Sequence, residues 1–169
     1  AGYYDKFMNY CNMINEAESR CAKADNPFND IEKKLMCGDC EAFLKLYKYK
    51  REGRKEAVKW IAFAYKNGLV VEKNEYLYNL LMNNFKDIGQ YILMLKSPRS
   101  NDLIERLYAY SYFIENAKQK KELLKALYEK GSINAGIDYA LLDGNNETVL
   151  ENLAKRGSPL ASYYFRKFN

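Results

Sequence analysis

The stretch Leu124-Lys-Ala-Leu127-Tyr-Glu-Lys-Gly131-Ser132-Ile-Asn-Ala135 returns 26 residues later as Leu150-Glu-Asn-Leu153-Ala-Lys-Arg-Gly157-Ser158-Pro-Leu-Ala161, with five positions identical. Each identity has a task in one local structure. The paired leucines fall on one face of a helix. The glycine after them supplies the left-handed residue that ends a helix, and the cation before it, Lys130 or Arg156, suits the negative end of the helix dipole. Ser132 and Ser158 follow as N-caps of the next helix, and the alanine beyond admits a close helix crossing. Fixed self-similarity of this kind marks stacked helical units.

The same punctuation runs outward through the chain. Asp25-Asn-Pro27, Gly53, Gly68, Ser97-Pro98, Gly131, Asp143-Gly-Asn-Asn146 and Gly157-Ser-Pro159 divide it into segments of about 10 to 20 residues, the length of globular helices. Apolar stripes at helical spacing run through Leu103, Leu107, Tyr110 and Ile114, through Leu123, Leu124 and Leu127, and through Val149, Leu150 and Leu153. The 169 residues are 48% hydrophobic and 29% charged, enough apolar material for one core and too much for a disordered chain. Runs such as Ile61-Ala-Phe-Ala-Tyr65 fall far short of the roughly 20 apolar residues of a membrane-spanning helix. The fold expected is all-α: a single domain over 1–169 of short antiparallel helix pairs stacked as a small solenoid.

Within it, Ala42-Phe-Leu-Lys-Leu46-Tyr-Lys-Tyr49-Lys-Arg-Glu-Gly53 followed by Ala57-Val-Lys-Trp60-Ile-Ala-Phe-Ala64-Tyr-Lys-Asn-Gly68 resembles the Sel-type repeat, a short-helix relative of the tetratricopeptide repeat. That family places Ala, Leu, an aromatic and Gly along its first helix, then Ala, an aromatic, Ala and Gly along its second. The outline covers residues 42–68 well. It returns more weakly over 135–161, through Tyr139, Gly144 and Ala154, and blurs between Leu69 and Lys130, where Asn83-Asn84, Gly89 and Ser97-Pro98 interrupt the pattern. The resemblance implies helical repeats over 42–169. Small residues at Ala42, Ala57 and Ala64 would let helices approach while Leu46 and Trp60 fill the space between them.

All four cysteines, Cys11, Cys21, Cys37 and Cys40, fall in the first quarter. Cys11 and Cys21 would lie about 15 Å apart along one helix, too far to bridge each other. If residues 3–23 and 29–37 fold back about Asp25-Asn-Pro27, the nested pairing Cys11–Cys40 and Cys21–Cys37 is favoured over the crossed one, stapling the hairpin of residues 1–41. Each bridge would contribute about 2–4 kcal/mol at the end of the solenoid most prone to fray. A redox role for Cys37-Gly-Asp-Cys40 lacks the preceding strand, and zinc would require Cys11 and Cys21 at an unusual spacing, so no metal is expected. Disulfides, together with a chain beginning Ala-Gly, which fits either cleavage of a signal peptide or a cloning scar, favour the periplasm or a secreted protein. The sequon Asn146-Glu-Thr148 reads as a loop.

No histidine is present, which removes the commonest general base and metal ligand together. Ser132 and Ser158 have nothing to activate them, no glycine-rich phosphate loop occurs, and Asp138 and Asp143 beside Tyr139 are the acidic residues at a plausible kink. Catalysis, then, is not expected, and neither is a cofactor. The formal net charge of +5 is mild and lacks the basic stripe of a nucleic-acid binder. Its local concentration is Lys45, Lys48, Lys50, Arg51, Arg54, Lys55 and Lys59, interrupted by Glu52 and Glu56. With 16 Tyr and 8 Phe, aromatic recognition beside this cluster is the sharper expectation, and solvated helix faces with aromatics in the core the blander one. The candidate partner-binding residues are Lys45, Tyr47, Lys48, Tyr49, Arg51, Arg54, Tyr108 and Tyr112, with Tyr163, Tyr164 and Phe168 in reserve. The expected role is a non-catalytic protein–protein interaction module of the bacterial envelope, a scaffold or adaptor with an acidic protein partner. An immunity protein that neutralises a secreted toxin is the alternative, with nucleic-acid binding or a carboxylate enzyme behind both.

Overall fold

The computed structural model describes residues 26–83 and 102–169, and every regular element among them is helical. The α-helices are α1 (Ile31–Met36), α2 (Cys40–Arg51), α3 (Lys55–Asn67), α4 (Glu75–Met82), α5 (Leu103–Tyr110), α6 (Ala117–Glu129), α7 (Ile133–Leu142), α8 (Glu147–Lys155) and α9 (Pro159–Phe168). A 3₁₀ turn, Ser111–Phe113, extends α5. None of these helices is long and apolar enough to cross a membrane.

The repeated stretch is repeated in its atoms. Gly131 and Gly157 take φ of 106° and 96°, and the next N–H reaches back to Leu127 O at 3.0 Å and to Leu153 O at 3.2 Å. The Ser132 and Ser158 hydroxyls accept from the N–H groups of Ala135 and Ala161, both at 3.1 Å. This satisfies helix-end groups that burial would otherwise leave without partners. The turn recurs where the sequences are less alike: Gly38 and Gly53 are left-handed, and the N–H groups of Asp39 and Arg54 return to Lys34 O and Tyr49 O at 2.9 and 3.0 Å. Asp39 caps α2 through Ala42 N–H, whereas Arg54 contributes no side-chain cap to α3. The alanine three residues after each cap position, Ala42, Ala57, Ala135 and Ala161, is buried.

Leu124, Leu127, Leu150 and Leu153 are all buried, as the leucine pairing requires. They pack where α7 crosses α6 and α8. At Gly136 a Cβ would lie 2.6 Å from Tyr128 Cδ1 and 2.7 Å from Leu153 Cδ1, so a larger residue there would push those side chains out of the crossing. Sequence neighbours pack on one another along the chain, and α9 also packs on α2. The last helix therefore returns to the first long one, which a stack of strictly successive contacts would not do. A second tie joins the two halves: Glu72 N–H donates to Asn134 Oδ1 at 2.9 Å, and Asn134 Nδ2 donates to Glu72 O at 2.8 Å.

Several expectations are corrected. Among the described residues Cys37 and Cys40 carry free thiols, so the nested pairing Cys11–Cys40 and Cys21–Cys37 is not supported; Cys11 and Cys21 lie outside the described residues, as does the helix expected over 3–23. The breaks at Gly89 and Ser97-Pro98 also lie outside them. The stripe Leu103, Leu107, Tyr110 and Ile114 does not form one buried face. The α-helix ends at Tyr110, its fully buried residues are Tyr108 and Ala109, and Leu103 is 37% exposed. Asn146 is no free loop residue: its side chain accepts from Val149 N–H at 3.1 Å and donates to Asp143 at 2.9 Å, capping α8.

Candidate functional site

Helices from both halves converge on a cavity of about 540 Å³. Tyr47 and Arg51, one helical turn apart on α2, form one wall with Phe43 and Leu44. Tyr65 of α3, Tyr112 of the 3₁₀ turn and Tyr164 of α9 add further rings, and Ile137, Leu141, Leu142 and Leu160 supply aliphatic surface. Asp138 of α7 is the carboxylate of the lining, and Arg51, Lys120 and Lys167 are its cations.

A chain of phenols leads to that carboxylate. Tyr65 Oη lies 3.3 Å from Tyr112 Oη and 3.4 Å from Tyr108 Oη, and Tyr108 donates to Asp138 Oδ2 at 2.8 Å. Tyr47 interacts with the Tyr65 and Tyr112 hydroxyls. Burial pushes all four phenols above the usual tyrosine range, so they remain neutral donors and acceptors. Burial likewise raises the Asp138 carboxyl to about 6, against the opposing pull of the Tyr108 hydroxyl and of Lys120. Asp138 Oδ1 takes no hydrogen bond from the described residues. Tyr164 is pushed up to about 12, chiefly by burial.

The cations stand differently. Lys120 Nζ sits 5.6 Å from the Tyr112 ring centroid, and Lys167 Nζ sits 5.9 Å from those of Tyr163 and Phe168. Arg51 and Lys167 are exposed, and none of Arg51, Lys120 and Lys167 forms an ion pair among the described residues. Lys121, next to Lys120 in the chain, is instead paired: it meets Asp143 at 2.7 Å, and that contact, with Asn146 and Tyr139, holds the Asp143 carboxyl down to about 2. Two aspartates five residues apart are thus driven in opposite directions, one by desolvation and one by a cation and hydrogen bonds.

The sequence-selected residues separate in space. Tyr47, Arg51 and Tyr112 meet at the cavity, whereas Lys45, Lys48 and Arg54 are exposed and do not line it. Tyr49 packs its ring against Phe28 at 5.6 Å and beneath the Arg54 guanidinium at 5.1 Å, which ties the segments leading into α1 and α3 to α2. Tyr108 is 1% exposed and presents no ring to a partner, because its hydroxyl is committed to Asp138. The lining residues not singled out from sequence were Tyr65, Lys120, Leu160 and Lys167, while Tyr164 stood only in reserve and Asp138 only as an acidic residue at a plausible kink. For Asp138 a signal existed: it is the one charged residue in Ile133-Asn-Ala-Gly-Ile-Asp138-Tyr-Ala-Leu-Leu142. An unpaired charge inside an apolar helix is costly unless it has a task or a partner.

The cysteines belong elsewhere. Cys37 is exposed at the end of α1, and Cys40 is buried at the start of α2, with its thiol raised to about 11 by desolvation and by Asp39. A redox thiol needs the opposite shift. Among the described residues no group of three or more His, Cys, Asp or Glu side chains could hold a metal. No protein-family model matches the chain, and no curated protein or solved structure matches it.

Proposed function

We propose that the chain is a non-catalytic helical-repeat interaction module of adaptor type, and that it receives an acidic segment of a protein partner across the tyrosine-lined cavity. The observation that carries this reading is the set of three cations without ion pairs, Arg51, Lys120 and Lys167, around a floor of rings and leucines. Cations over a largely apolar recess suit a segment that alternates carboxylates with an aromatic or aliphatic anchor. Tyrosine supplies such contact area at little entropic penalty. The likeness of residues 42–68 to the Sel-type repeat supports the adaptor reading, since stacked helix pairs of that kind offer a concave face to partners.

The function is tested by panning a random peptide library against the full chain and measuring the selected peptides by titration at low and high salt. Selected sequences should be enriched in Asp and Glu around Leu, Phe or Tyr, and their affinity should fall with salt. Arg51→Glu with Lys167→Glu should slow association, since exposed rim charges act mainly on the on-rate. Lys48→Glu, an exposed charge reversal on the same helix that does not line the cavity, should matter much less. Selection of basic peptides, or equal effects of the two reversals, would overturn the reading.

A further inference from the structure

The most unusual group in the cavity is not used by a rim of cations at all. Asp138 is anchored through one oxygen by a buried tyrosine, lines the cavity with its side chain and has a second oxygen that takes no hydrogen bond from the described residues. The titratable groups that act on it come from the elements around it: Tyr47 from α2, Tyr65 from α3, Tyr108 and Tyr112 from α5 and its 3₁₀ extension, Lys120 from α6 and Tyr164 from α9, while Arg51 of α2 and Lys167 of α9 line the same cavity. The phenols are neutral. With three cations against one carboxylate, the cavity attracts an anion, although one of its own hydrogen-bonding groups is itself an anion when ionised.

That conflict has one economical resolution, and it builds on the acidic-partner reading of the same cavity. The geometry points to a pocket for a single carboxylate on an aromatic or aliphatic body, seated between Lys120 and Asp138 Oδ1, with one proton taken up from solvent and held between the two carboxyl groups. The phenol chain makes this arrangement available. Tyr108 already donates to Oδ2, so a protonated Asp138 would turn its Oδ1 hydroxyl toward the ligand while keeping its internal bond. Two carboxyl groups sharing a site retain one proton between them more readily than either alone. Asp138 begins near the required range, since burial has raised it to about 6. A cationic occupant would instead have to pass Arg51, Lys120 and Lys167. The cavity, at about 540 Å³, is of the size that encloses a small organic molecule or a few side chains.

The binding linkage has a definite sign. If the ligand binds with uptake of a proton, affinity rises as pH falls toward the Asp138 range, as long as the ligand stays ionised. A ligand cation paired to the Asp138 carboxylate would show the reverse.

The test uses the full chain and three probes of nearly one shape: phenylacetate, phenylacetamide and benzylammonium, followed by shifts of the tyrosine ring and methyl resonances in NMR spectra between about pH 5.5 and about pH 7.5. Phenylacetate should bind best, displacing signals of Tyr47, Tyr112 and Leu141, and should tighten on the order of tenfold toward the lower pH. Asp138→Asn, which keeps a partner for the Tyr108 hydroxyl, should abolish that pH dependence and bind phenylacetate more tightly than the parent at about pH 7.5. Lys120→Met should weaken phenylacetate at least fivefold and leave phenylacetamide unchanged, and thermal melting establishes that each variant is folded. Preference for benzylammonium, a flat pH profile in the parent, or an unchanged profile in Asp138→Asn would overturn the inference. In that event salt-sensitive binding of acidic peptides through Arg51 and Lys167 would still stand. Conversely, if phenylacetate behaves as expected while no acidic peptide is selected, the pocket is real and the adaptor reading fails.

Discussion

The turns Gly131–Ala135 and Gly68–Leu77 begin alike and end differently. Both open on a left-handed glycine that closes a helix, at φ of 106° and 65°. After Gly131 the capping residue follows at once, and the next helix starts at Ile133. After Gly68 the chain runs through the buried residues Leu69, Val70 and Val71 before Asn74 caps α4 by accepting from Leu77 N–H at 2.9 Å. The short turn satisfies its own backbone. The long one depends on distant parts of the molecule: Asn134 pairs with both backbone groups of Glu72, and Asn74 Nδ2 donates to Glu105 O at 2.9 Å. Val70, a β-branched residue at φ 67°, holds a conformation that its own chemistry disfavours, kept there by complete burial of its side chain. A helix junction coded by two adjacent residues is locally stable and repeatable, while one spread over six is stable only in the folded whole.

The comparison can be broken most sharply at the long junction. Asn134→Ala leaves the Glu72 N–H and C=O without their partner, and removal of hydrogen bonds to half-buried backbone should destabilise by about 3 kcal/mol, read as a fall in the urea midpoint. A loss no larger than that of a surface alanine would mean that the junction is not held from α7. Gly68→Val should follow at about 2–3 kcal/mol: it adds a β-branched side chain at positive φ, and its Cβ would lie 3.2 Å from Lys73 Cβ. Gly131→Val should lose less, because there only the end of the Arg156 side chain stands within 4.0 Å.

The aspartates of α7 and its C-terminal end extend the contrast to pH. Asp138 is raised to about 6 in the fold, so the native state holds a proton that the unfolded chain releases near pH 4. Its contribution is therefore present below about pH 4 and lost as pH rises toward about 6. Asp143, held down to about 2, has the opposite sign: its contribution is present above about pH 4 and lost as pH falls toward about 2. Stability measured by thermal melting should fall between about pH 4 and about pH 6 in the parent and fall less steeply there in Asp138→Asn, where Glu72 and Glu105, also raised by burial, still contribute. An unchanged slope would place the titrating group elsewhere.

The smallest effects lie in the repeated turns. Ser132→Ala and Ser158→Ala should each lose about 1 kcal/mol, and by nearly equal amounts, because each removes one cap hydrogen bond of 3.1 Å at a buried serine. Arg54→Ser should gain a few tenths of a kcal/mol by supplying the cap oxygen that α3 lacks. A clear difference between the two serine variants would show that the turns are alike in geometry and not in energy.

What could be read from residues alone follows the same division. The 26-residue register, the serine caps, the left-handed glycines and the buried leucines all depend on interactions within about five residues, so spacing reveals them. The stripe through Leu103 failed because α5 spans only 8 residues and gives way to a 3₁₀ turn, which rotates Tyr112 and Phe113 away from an α-helical register. The cluster at Lys45 to Arg54 was visible as charge, but which of its members faced a cavity depended on what lay opposite.

The sequence by itself determined the helical class, the positions of the Gly–cap turns and the apolar faces, because each is specified by chemistry along one short segment. Tertiary structure alone decided that Tyr49 braces Phe28 and Arg54, that Tyr108 is sealed beneath Asp138, and that Asn134 replaces a backbone partner for a residue 62 positions away. It also decided that Arg51, Lys120 and Lys167 share one cavity. Those pairings carry no spacing signature, since a side chain's partner across the fold is set by how α2, α7 and α9 pack and not by the order in which they are written.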